Sequence, residues 1–596
     1  MLDNEKIIYN LMDCVRDVGI NSQQSFKFVL QLIAWVKLSI TQKVPKQFSF
    51  NSAKIPSSAE DLEKVFKFLA EDKNLGGNSS AFEQFYLPVD NTSILNTCTI
   101  VQRLVEQNLL NDFTVPNSVL LTIFSDKSDC FFIPDEIVNY MLAIAGDLKG
   151  KSIYCPYDNL CQFSRQAYLL GGKVSAEIFA ANSSIAMLVN LINRAKISVA
   201  VSDPVVSPSF IKNGKLEQFD YTISFPPMGY KYDRDISKKD IFSRFVETTS
   251  NGSILSIRHI LAQTENKAVV AVPKSNLFSA GAELLLRRYL LEKNWIKAVI
   301  DMPPALLPST NVPFAILLID MKQKSNSVRF VDTDNKLFYS RDGKGRSIFH
   351  NWIKAIEILE KETDSFIAID IPTKIVLDNE KRLQVSQYLT SPEQDYIEEL
   401  LEDEKTTNLE EVVEFVRPLR PSKKGTIAVL EARIPDFPEY GYLPEPEREV
   451  MVAFDPLNKK DINGFLKPYD IVLSTKGNVN KTAIVPEHCP PPQEGGWIVN
   501  QSCLILRSEG TVDPRFLITY LRSEVGQYSL DSLVVGASVP LIQLDMLRKL
   551  KVIIPTQEVS RQVISTFTKQ VEIQSQIEKL QAEQKRLALS HWQIAK

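Results

Sequence analysis

The stretch "FDYTISFPPMGY" (219–230) reads as a buried β-strand that ends in two prolines. Proline has no backbone N–H and cannot continue a strand ladder, so by itself the pair could simply be a stiff strand exit. The stretch lies within a region, from about 116 to 345, where short apolar strands alternate with helices. The predicted strands are "KSIYCP", "YTISF", "KAVVAVP", "IKAVIDMP", "FAILLIDM" and "SVRFVDTD". This alternation predicts a parallel, doubly wound α/β sheet, in which ligands bind at the carboxyl ends of the strands.

The chain of 596 residues is too long for one core, and the pattern changes along it predict five segments. They are a helical N-terminal domain (1–115), the α/β domain (116–345), a helical connector (346–405), a mixed α/β domain (406–556) and one long helix (557–596). In the fourth segment, "DIVLST" and "KTAIVP" predict a hairpin around the connector 476–480, and Asp513-Pro514 predicts the start of a helix.

The composition excludes several classes of protein. A net charge of −4 rules out a polycation, so any nucleic-acid surface must be local. No apolar run is long enough for a membrane span, and no Walker-type phosphate loop is present. The seven cysteines and four histidines lack metal-ligand spacing, so we expect no metal and a cytoplasmic protein with reduced thiols. Cys155 and Cys161 are expected to be buried thiols, with a metal or redox site as the alternative.

Several motifs, taken in order, resemble the modification subunit of type I restriction–modification systems, an N6-adenine DNA methyltransferase. They are "CFFIPDEIVNYML", "KSIYCPYDNLCQF", "FDYTISFPPMGY" and the long run from "KAVVAVP" to "FAILLIDM". The resemblance implies a Rossmann-like methyltransferase fold for residues 116–345. The later stretches "FLKPYDIVLSTKGNVNKTAIVPE" and "VDPRFLITYLRSEVGQ" resemble a target-recognition domain of a specificity subunit, and the long helix resembles the spacer helix of that family.

The catalytic motif departs from the family, which has Asn-Pro-Pro-Phe where this chain has Phe225, Pro226, Pro227 and Met228. In the family, the motif accepts the N–H bonds of the flipped adenine and the aromatic ring stacks on it. Phenylalanine has no acceptor and methionine stacks poorly. Ser224 lies one residue too early and points to the opposite face of the strand. The turn is therefore expected to keep its shape without its chemistry.

The cofactor loop departs as well, because residues 155–162 contain no glycine where the family has a glycine-rich loop after the first strand. Glycines let the backbone approach S-adenosylmethionine closely. The acid that opens the loop in the family is Cys155 here. The remaining cofactor-binding candidates implied by the resemblance are Pro156, Asp158 and Glu177, the last as a ribose-binding acid after the second strand. No cofactor is expected, or S-adenosylmethionine if the enzyme is active.

DNA contacts are expected from basic and amide side chains of the target-recognition domain, with only a slight excess of basic over acidic residues in that region. The candidates are Lys476, Asn478, Asn480, Lys481, Lys459 and Lys460, with Lys423 and Lys424 further out. Each could instead be an ordinary surface residue. The long helix carries an apolar seam at Val563, Phe567, Val571, Ile577, Leu580 and Leu587, which needs a partner. A homodimer through 557–596 would supply one; the chain's own methyltransferase-like domain or another subunit are the alternatives.

Together these features predict a sequence-directed, DNA-binding pseudo-methyltransferase that targets or senses double-stranded DNA, in phage defence or mobile-element biology, with other subunits. Loss of the acceptor alone would suit a changed base, whereas loss of both ligand sites indicates a silent enzyme. Two alternatives stay open: an active N6-adenine DNA methyltransferase with a diverged site, and a protein scaffold that does not bind DNA.

Overall fold

A computed structural model describes residues 4–16, 20–51, 53–87, 90–124, 132–308, 310–322, 325–343, 345–361, 365–389, 401, 404–422, 424–535 and 540–590. The chain divides into two compact units, 1–389 and 390–596. The helices of the first unit are α1 (Asn4–Asp13), α2 (Ser22–Ile40), α3 (Ala59–Glu71), α4 (Asn91–Glu106), α5 (Asn117–Phe124), α6 (Asp135–Ala145), α7 (Gln162–Leu169), α8 (Ser183–Ile192), α9 (Ile236–Lys239), α10 (Gly252–Gln263), α11 (Ala282–Glu292), α12 (Trp352–Glu360) and α13 (Thr373–Asp378).

The N-terminal helices α2 and α3 form because each combines a capping side chain at its start with an apolar face that packs into the core. Asn21 and Gln24 make a reciprocal capping box at the start of α2, and the Ser58 hydroxyl accepts from the amide of Asp61 at the start of α3. The buried faces share one core that includes Phe26 of α2 and extends to Leu188 of α8. The helical N-terminal region therefore packs against a helix of the α/β region, and both lie in the first unit.

The strands of the first unit are β1 (Ser152–Pro156), β2 (Lys173–Ile178), β3 (Ser198–Val201), β4 (Ile211–Lys212), β5 (Lys215–Leu216), β6 (Phe219–Ser224), β7 (Thr264–Pro273), β8 (Ile296–Asp301), β9 (Phe314–Asp320), β10 (Ser327–Asp332), β11 (Tyr339–Arg341), β12 (Ser347–Phe349) and β13 (Ala368–Pro372). In the described residues, nine of them form one sheet in the order β13-β10-β8-β9-β7-β6-β1-β2-β3. The prediction of an α/β sheet is confirmed.

The sheet is mixed, so the prediction of an all-parallel sheet was wrong at one side. Strand β9 runs antiparallel to both β7 and β8. The described residues between β8 and β9 contain no helix that could carry a parallel crossover, and a connection without one favours antiparallel pairing. All other pairings from β3 to β7 are parallel, so the carboxyl ends of β1, β2 and β6 meet at one edge of the sheet.

The region predicted as a helical connector, 346–405, also differs from the prediction. Strand β13 lies within it and pairs antiparallel with β10, where Phe330 is opposite Ile369. Strands β11 and β12 form a separate hairpin, and α12 follows them. The acidic segment 390–400 lies outside the described residues. The sheet thus continues to residue 372, because β13 lies between the two stretches on which the helical connector was predicted.

The second unit contains β14 (Thr406–Asn408), β15 (Val413–Val416), β16 (Ile427–Ala432), β17 (Arg448–Val452), β18 (Ile471–Ser474), β19 (Thr482–Ile484), β20 (Trp497–Val499), β21 (Cys503–Ser508), β22 (Val534–Val535), β23 (Leu541–Ile542) and β24 (Lys551–Ile553). Its helices are α14 (Lys459–Asn463), α15 (Pro514–Arg522), α16 (Glu524–Asp531), α17 (Leu544–Arg548) and α18 (Gln557–Ser590). The described strands form small sheets, of which β15-β21-β18-β19 and β17-β16-β20 are the largest.

The predicted hairpin is present, since β18 and β19 pair antiparallel with Ile471 opposite Ile484. The predicted helix after Asp513 begins there but is interrupted at Ser523, whose hydroxyl caps a second helix, α16. Within the described ranges, no helix is both long and apolar enough to cross a membrane, and no group of three or more His, Cys, Asp or Glu side chains has a geometry suited to a metal ion.

Candidate functional site

Aromatic side chains occupy the edge of the sheet where the family would hold its cofactor. Tyr157 follows β1, Phe179 follows β2 and Tyr230 follows β6. The ring centroids of Tyr157 and Phe179 are 5.7 Å apart, and those of Phe179 and Tyr230 are 6.2 Å apart. The Tyr232 ring extends the row, 4.9 Å from Tyr230. We call these four residues the aromatic row; they bring three strand ends into contact through the chain's own side chains.

The loop after β1 is closed by Asp158. Its carboxylate accepts hydrogen bonds from three amides in the first turn of α7: Gln162 N at 2.7 Å, Phe163 N at 3.3 Å and Ser164 N at 2.8 Å, and from the Ser164 hydroxyl at 2.7 Å. Amides at such a helix start are the groups that bind anionic ligands in dinucleotide-binding folds. Burial raises the pKa of Asp158, and the Ser164 hydrogen bonds oppose that rise. The amides are therefore already bound by the protein itself.

The loop keeps a strained backbone without glycine. Tyr157 has φ +64° and Cys161 has φ +52°, both in the left-handed region that favours glycine. Cys155 and Cys161 are fully buried, and burial raises the pKa of both thiols. Pro156 offers its carbonyl to the Ser224 hydroxyl at 2.9 Å. The expectation that both cysteines are buried thiols agrees with their burial, and both are free.

Glu177, the candidate ribose-binding acid, is fully buried at the end of β2. Its carboxylate accepts from the Tyr154 hydroxyl, from the Ser202 hydroxyl at 2.5 Å and from the Ser209 amide at 2.8 Å. Burial raises the pKa of Glu177, and the hydrogen bonds of Ser202 and Tyr154 work against that rise. The carboxylate is thus satisfied by internal donors, where a ribose-binding acid needs to face a ligand.

A buried chain of hydrogen bonds continues from Tyr154. The Tyr154 hydroxyl lies 2.8 Å from His259 Nε2, and Arg244 Nη1 lies 2.8 Å from His259 Nδ1. Arginine only donates, so Nδ1 accepts and Nε2 carries the proton of a neutral imidazole. Burial lowers the pKa of His259 well below its usual range, and Arg244 adds to this. This network was not predicted, because its members are distant in sequence and no motif marks them.

Gln162 closes the other side of the loop. Its side-chain oxygen accepts from the amide of Ile133 at 3.0 Å, and its side-chain nitrogen donates to the carbonyl of Ile133 at 2.8 Å. Ile133 stands where the family has the threonine of its entry motif. The amide group of Gln162 therefore ties the two motifs together directly. The sequence indicated this contact only by placing a bulky residue, Gln162, where the family has a glycine.

The catalytic turn is apolar. Phe225 is 8 % exposed, and its ring packs edge-on against Phe314 with centroids 5.1 Å apart. Pro226 is buried, and Pro227 and Met228 are partly buried. As expected, Ser224 is directed away from Phe225 and binds the end of β1. The position that would accept an amine proton is occupied by a hydrocarbon ring within the core.

A charged cluster at the ends of β7, β8 and β10 was not predicted. Lys274 Nζ lies 2.9 Å from Asp301 Oδ2 and 3.7 Å from Asp334 Oδ2. Burial acts to lower the pKa of Lys274, but the two carboxylates together raise it. Burial raises the pKa of Asp332 to about 6, with Asp301 and Asp334 adding to the rise. The single positive charge of Lys274 therefore offsets the negative charges of several partly buried carboxylates.

We expect Asp332→Asn to stabilise the first unit by about 1–2 kcal/mol at pH 8. The folded pKa of about 6 lies above the usual unfolded value of an aspartate, so the stability that Asp332 contributes is present at low pH and is lost as the pH rises through 6. Asparagine can still accept from the Asp334 amide at 2.8 Å. Urea unfolding at pH 8 and pH 5 measures the difference. Equal effects at the two pH values would contradict the prediction.

The DNA-binding candidates divide into exposed and buried residues. Asn480 is 6 % exposed, and its side-chain nitrogen donates to Asp531 Oδ1, so it holds the fold and is not free to read a base, contrary to its prediction. The others stay predictions: the exposed positions are Lys476, Asn478, Lys481, Lys459, Lys460 and Lys424. Lys423 lies outside the described residues. The amide of Gly477 donates to the Pro540 carbonyl at 2.8 Å, which fixes the loop that presents Lys476.

Comparison with known proteins finds relatives of the α/β region. Residues 165–396 match the family model described as N-6 DNA Methylase. A type I restriction enzyme methylase subunit, MpnII, from Mycoplasma pneumoniae is 24% identical over 259 residues, which cover 40% of this chain and 46% of that protein. The matched region is similar to N-6 DNA methylases. The MjaVIII methylase subunit from Methanocaldococcus jannaschii is 23% identical over 245 residues, covering 38% of this chain and 42% of the relative.

Solved structures agree on the fold of this N-6 DNA methylase region. The type I restriction–modification methyltransferase subunit from Streptococcus thermophilus superposes with a TM-score of 0.55 at 14% identity, covering 65% of this chain and 99% of that one. A chain from a study of complex assembly in a type I restriction–modification system gives a TM-score of 0.51 at 16% identity, covering 67% and 94%. The Rossmann-like methyltransferase fold is thereby confirmed.

The extent of these matches is partial. The chain spans about half the length of the curated relatives that it matches. The match to the N-6 DNA methylase model begins at Arg165, after the glycine-free loop, and includes the turn from Phe225 to Met228. The part of the chain that carries the predicted target-recognition domain lies beyond residue 396.

Proposed function

We propose that the protein is a cytoplasmic, sequence-directed DNA-binding member of the type I restriction–modification methyltransferase group whose methyl-transfer site is silent. It would act as a targeting or sensing subunit in phage defence or mobile-element biology, and other subunits would supply any cleavage or translocation. The second unit would read the DNA as a fused target-recognition domain, since its stretches "FLKPYDIVLSTKGNVNKTAIVPE" and "VDPRFLITYLRSEVGQ" resemble such a domain of a specificity subunit.

One observation supports the proposal: side chains of the chain itself contact one another at the strand ends where the resemblance places the cofactor. The aromatic row joins the ends of β1, β2 and β6, while Asp158 takes the amides of α7. Glu177 is saturated by internal donors. Opening the crevice for S-adenosylmethionine would leave several buried polar groups without partners, and each of these costs about 1–3 kcal/mol. A ligand would have to compensate all of that before gaining affinity.

Calorimetric titration of S-adenosylmethionine into the full chain, with and without duplex DNA, tests the silence of the crevice. We expect no binding heat in either case, and we expect Phe225→Asn to leave methyl transfer undetectable because the cofactor crevice stays closed. An active type I methylase subunit is the positive control. Micromolar binding, or transfer of a labelled methyl group to genomic DNA by the wild type, would favour the alternative of an active enzyme with a diverged site.

Duplex binding tests the other half of the proposal and separates it from a scaffold without DNA binding. The affinity measured by fluorescence anisotropy should fall steeply as salt is raised, because phosphate contacts release counterions. Replacing Lys476 and Lys481 together by Glu should weaken binding about tenfold or more. The same charge reversal at exposed Lys64 of α3 is the matched control. Salt-independent or absent binding would support the scaffold.

We also propose that two copies associate through α18. Val563, Phe567 and Val571 on this helix contact the core of the second unit. Further along, Ile573 is 56% exposed, Ile577 is 41% exposed and Leu580 is 65% exposed. The steps of four and three residues between them give one apolar seam, which suits a helix of a second copy, and a dimer would present two recognition units to two half-sites.

Replacing Ile577 and Leu580 together by Asp is therefore expected to convert a dimer to a monomer, measured as a halved mass by light scattering at micromolar concentration. The matched control is Ser575→Asp, which adds a charge to the same exposed turn but on the opposite side of the helix from the seam. A wild type that is already monomeric at that concentration would count against the homodimer and favour another subunit as the partner of this seam.

A further inference from the structure

A cleft of about 340 Å³ runs along one face of α7, outside the cofactor crevice. The helix contributes four residues at spacings of three and four, which places them on a single face: Gln162, Arg165, Gln166 and Leu169. Facing them are Asp135, at the start of α6, and Asn117, at the start of α5. The cleft therefore lies between the N-terminal helices and the α/β core, both within the first unit.

Arg165 is a buried cation with unused hydrogen-bonding capacity. Its residue is 7 % exposed. Nη1 donates to the Leu160 carbonyl at 2.5 Å, whereas Nη2 has no hydrogen-bond partner and is itself shielded from solvent, so a ligand reaches it only after a shift of the side chain. Burial lowers the pKa of Arg165, and the charges of Asp158 and Asp135 oppose this. Within the described residues, no carboxylate lies within the 4.0 Å that defines an ion pair with this guanidinium. A buried cation in this condition is costly unless an anion completes it, and guanidinium binds carboxylate and phosphate in a planar, two-pronged geometry.

Asp135 provides the opposite charge on the facing wall. It is exposed, and its Oδ1 accepts from Asn117 Nδ2 at 2.6 Å. A carboxylate in such a position suits an ammonium or amino group of a ligand. The remaining polar lining consists mostly of side-chain amides, and the volume lies at the lower end of the range for small-molecule sites. The cleft thus offers a cation, an anion and amide groups in a space of metabolite size.

We propose that this cleft binds a small metabolite that carries both a carboxylate or phosphate group and an amino group, with Arg165 holding the anion and Asp135 the amino group. We treat the cleft as separate from the cofactor crevice, because the Gln162 side-chain amide, between the cleft and the crevice, is already hydrogen-bonded to the backbone of Ile133. The proposal does not depend on a silent methyl-transfer site or on DNA binding, so each can fail without the other.

Calorimetry on the full chain with four probes at roughly 1 mM tests the site: glutamate, adenosine monophosphate, inorganic phosphate and acetate. We expect glutamate or adenosine monophosphate to bind, and phosphate and acetate to bind more weakly or not at all. Arg165→Gln should weaken the binding at least about tenfold. Arg288→Gln, at an exposed position of α11, is the matched control and should leave it unchanged.

Asp135→Asn is the second variant and is exposed, so it tests the site even if Arg165→Gln fails to fold. It should weaken binding of the amino-bearing probe while sparing that of phosphate. The proposal is overturned if none of the four probes binds, or if binding is unchanged in both variants. It is also overturned if S-adenosylmethionine alone binds and Arg165→Gln abolishes this, since the cleft would then be a cofactor site.

Discussion

Arg244→Met is expected to lower the free energy of unfolding of the first unit by about 3–5 kcal/mol. The Arg244 side chain is 3% exposed and lies 2.9 Å from Asp240, whose side chain is 2% exposed. The guanidinium also donates to the carbonyls of Pro204 and Val205, each at 2.7 Å, and to His259 Nδ1. Methionine fills much of the volume but leaves the Asp240 carboxylate buried without its cation, which is the costly outcome for a buried pair.

Urea unfolding of the full chain, followed by a signal from the first unit, measures this loss. Lys238→Met is the matched control, because Lys238 makes a surface ion pair with Asp235 at 3.2 Å with side chains 69% and 54% exposed. Surface pairs contribute about 0–1 kcal/mol, so the control should be almost unchanged. A loss below about 1 kcal/mol in Arg244→Met would mean that the network does not hold the segment after β6 in place.

Phe567→Ala is the second large effect, expected to destabilise the second unit by about 3–5 kcal/mol. Phe567 is 2 % exposed, and its ring packs edge-on against Tyr442 with centroids 5.3 Å apart. Val563 and Val571 lie one turn before and after it on the same face and share its core. Truncation to alanine removes the central contact of α18 with the unit and leaves a cavity that the rigid strands cannot fill.

Thermal unfolding reports this effect as a lower midpoint for the second unit alone. The matched control is Glu572→Ala on the same helix, at an exposed position outside both the buried face and the seam, where truncation should change stability by about 0.5 kcal/mol or less. Equal losses in the two variants would contradict the assignment of the buried and exposed halves of α18.

The fold was predictable where the spacing of apolar residues and the order of strands and helices along the chain indicated the same element. Short apolar runs between helices predicted the strands from β6 to β10, and "DIVLST" with "KTAIVP" predicted the β18–β19 hairpin. The sequence did not reveal that β9 reverses direction, because strand direction depends on the connection and not on the apolar pattern. It also concealed β13, whose residues "AIDIP" carry too few apolar positions to distinguish a strand from the neighbouring helices.

The sequence predicted which catalytic and cofactor-binding residues are missing from the candidate site, but not which side chains take their places. The missing acceptor at Phe225 and the missing glycines are visible in the sequence. The aromatic row and the chain from Glu177 to Arg244 depend on contacts between distant segments, which no local pattern encodes. The capping of α7 by Asp158 is local, four to six residues along the chain, and was missed because Asp158 was considered only as a cofactor ligand. Asn480 shows the converse, since an amide on a loop suggested base reading but is engaged with Asp531.

The Asp158 cap has a consequence for how the molecule responds to its surroundings. In a methyltransferase, the loop at the start of α7 exchanges between an empty and an occupied form, so metabolite supply and DNA engagement are thermodynamically linked. Here a carboxylate of the same chain occupies the loop permanently, and its local concentration cannot be diluted or depleted. If the second unit binds DNA and the crevice is silent, both as proposed, the affinity for DNA would be insensitive to the methyl-donor pool, and the complex would form in starved and in growing cells alike.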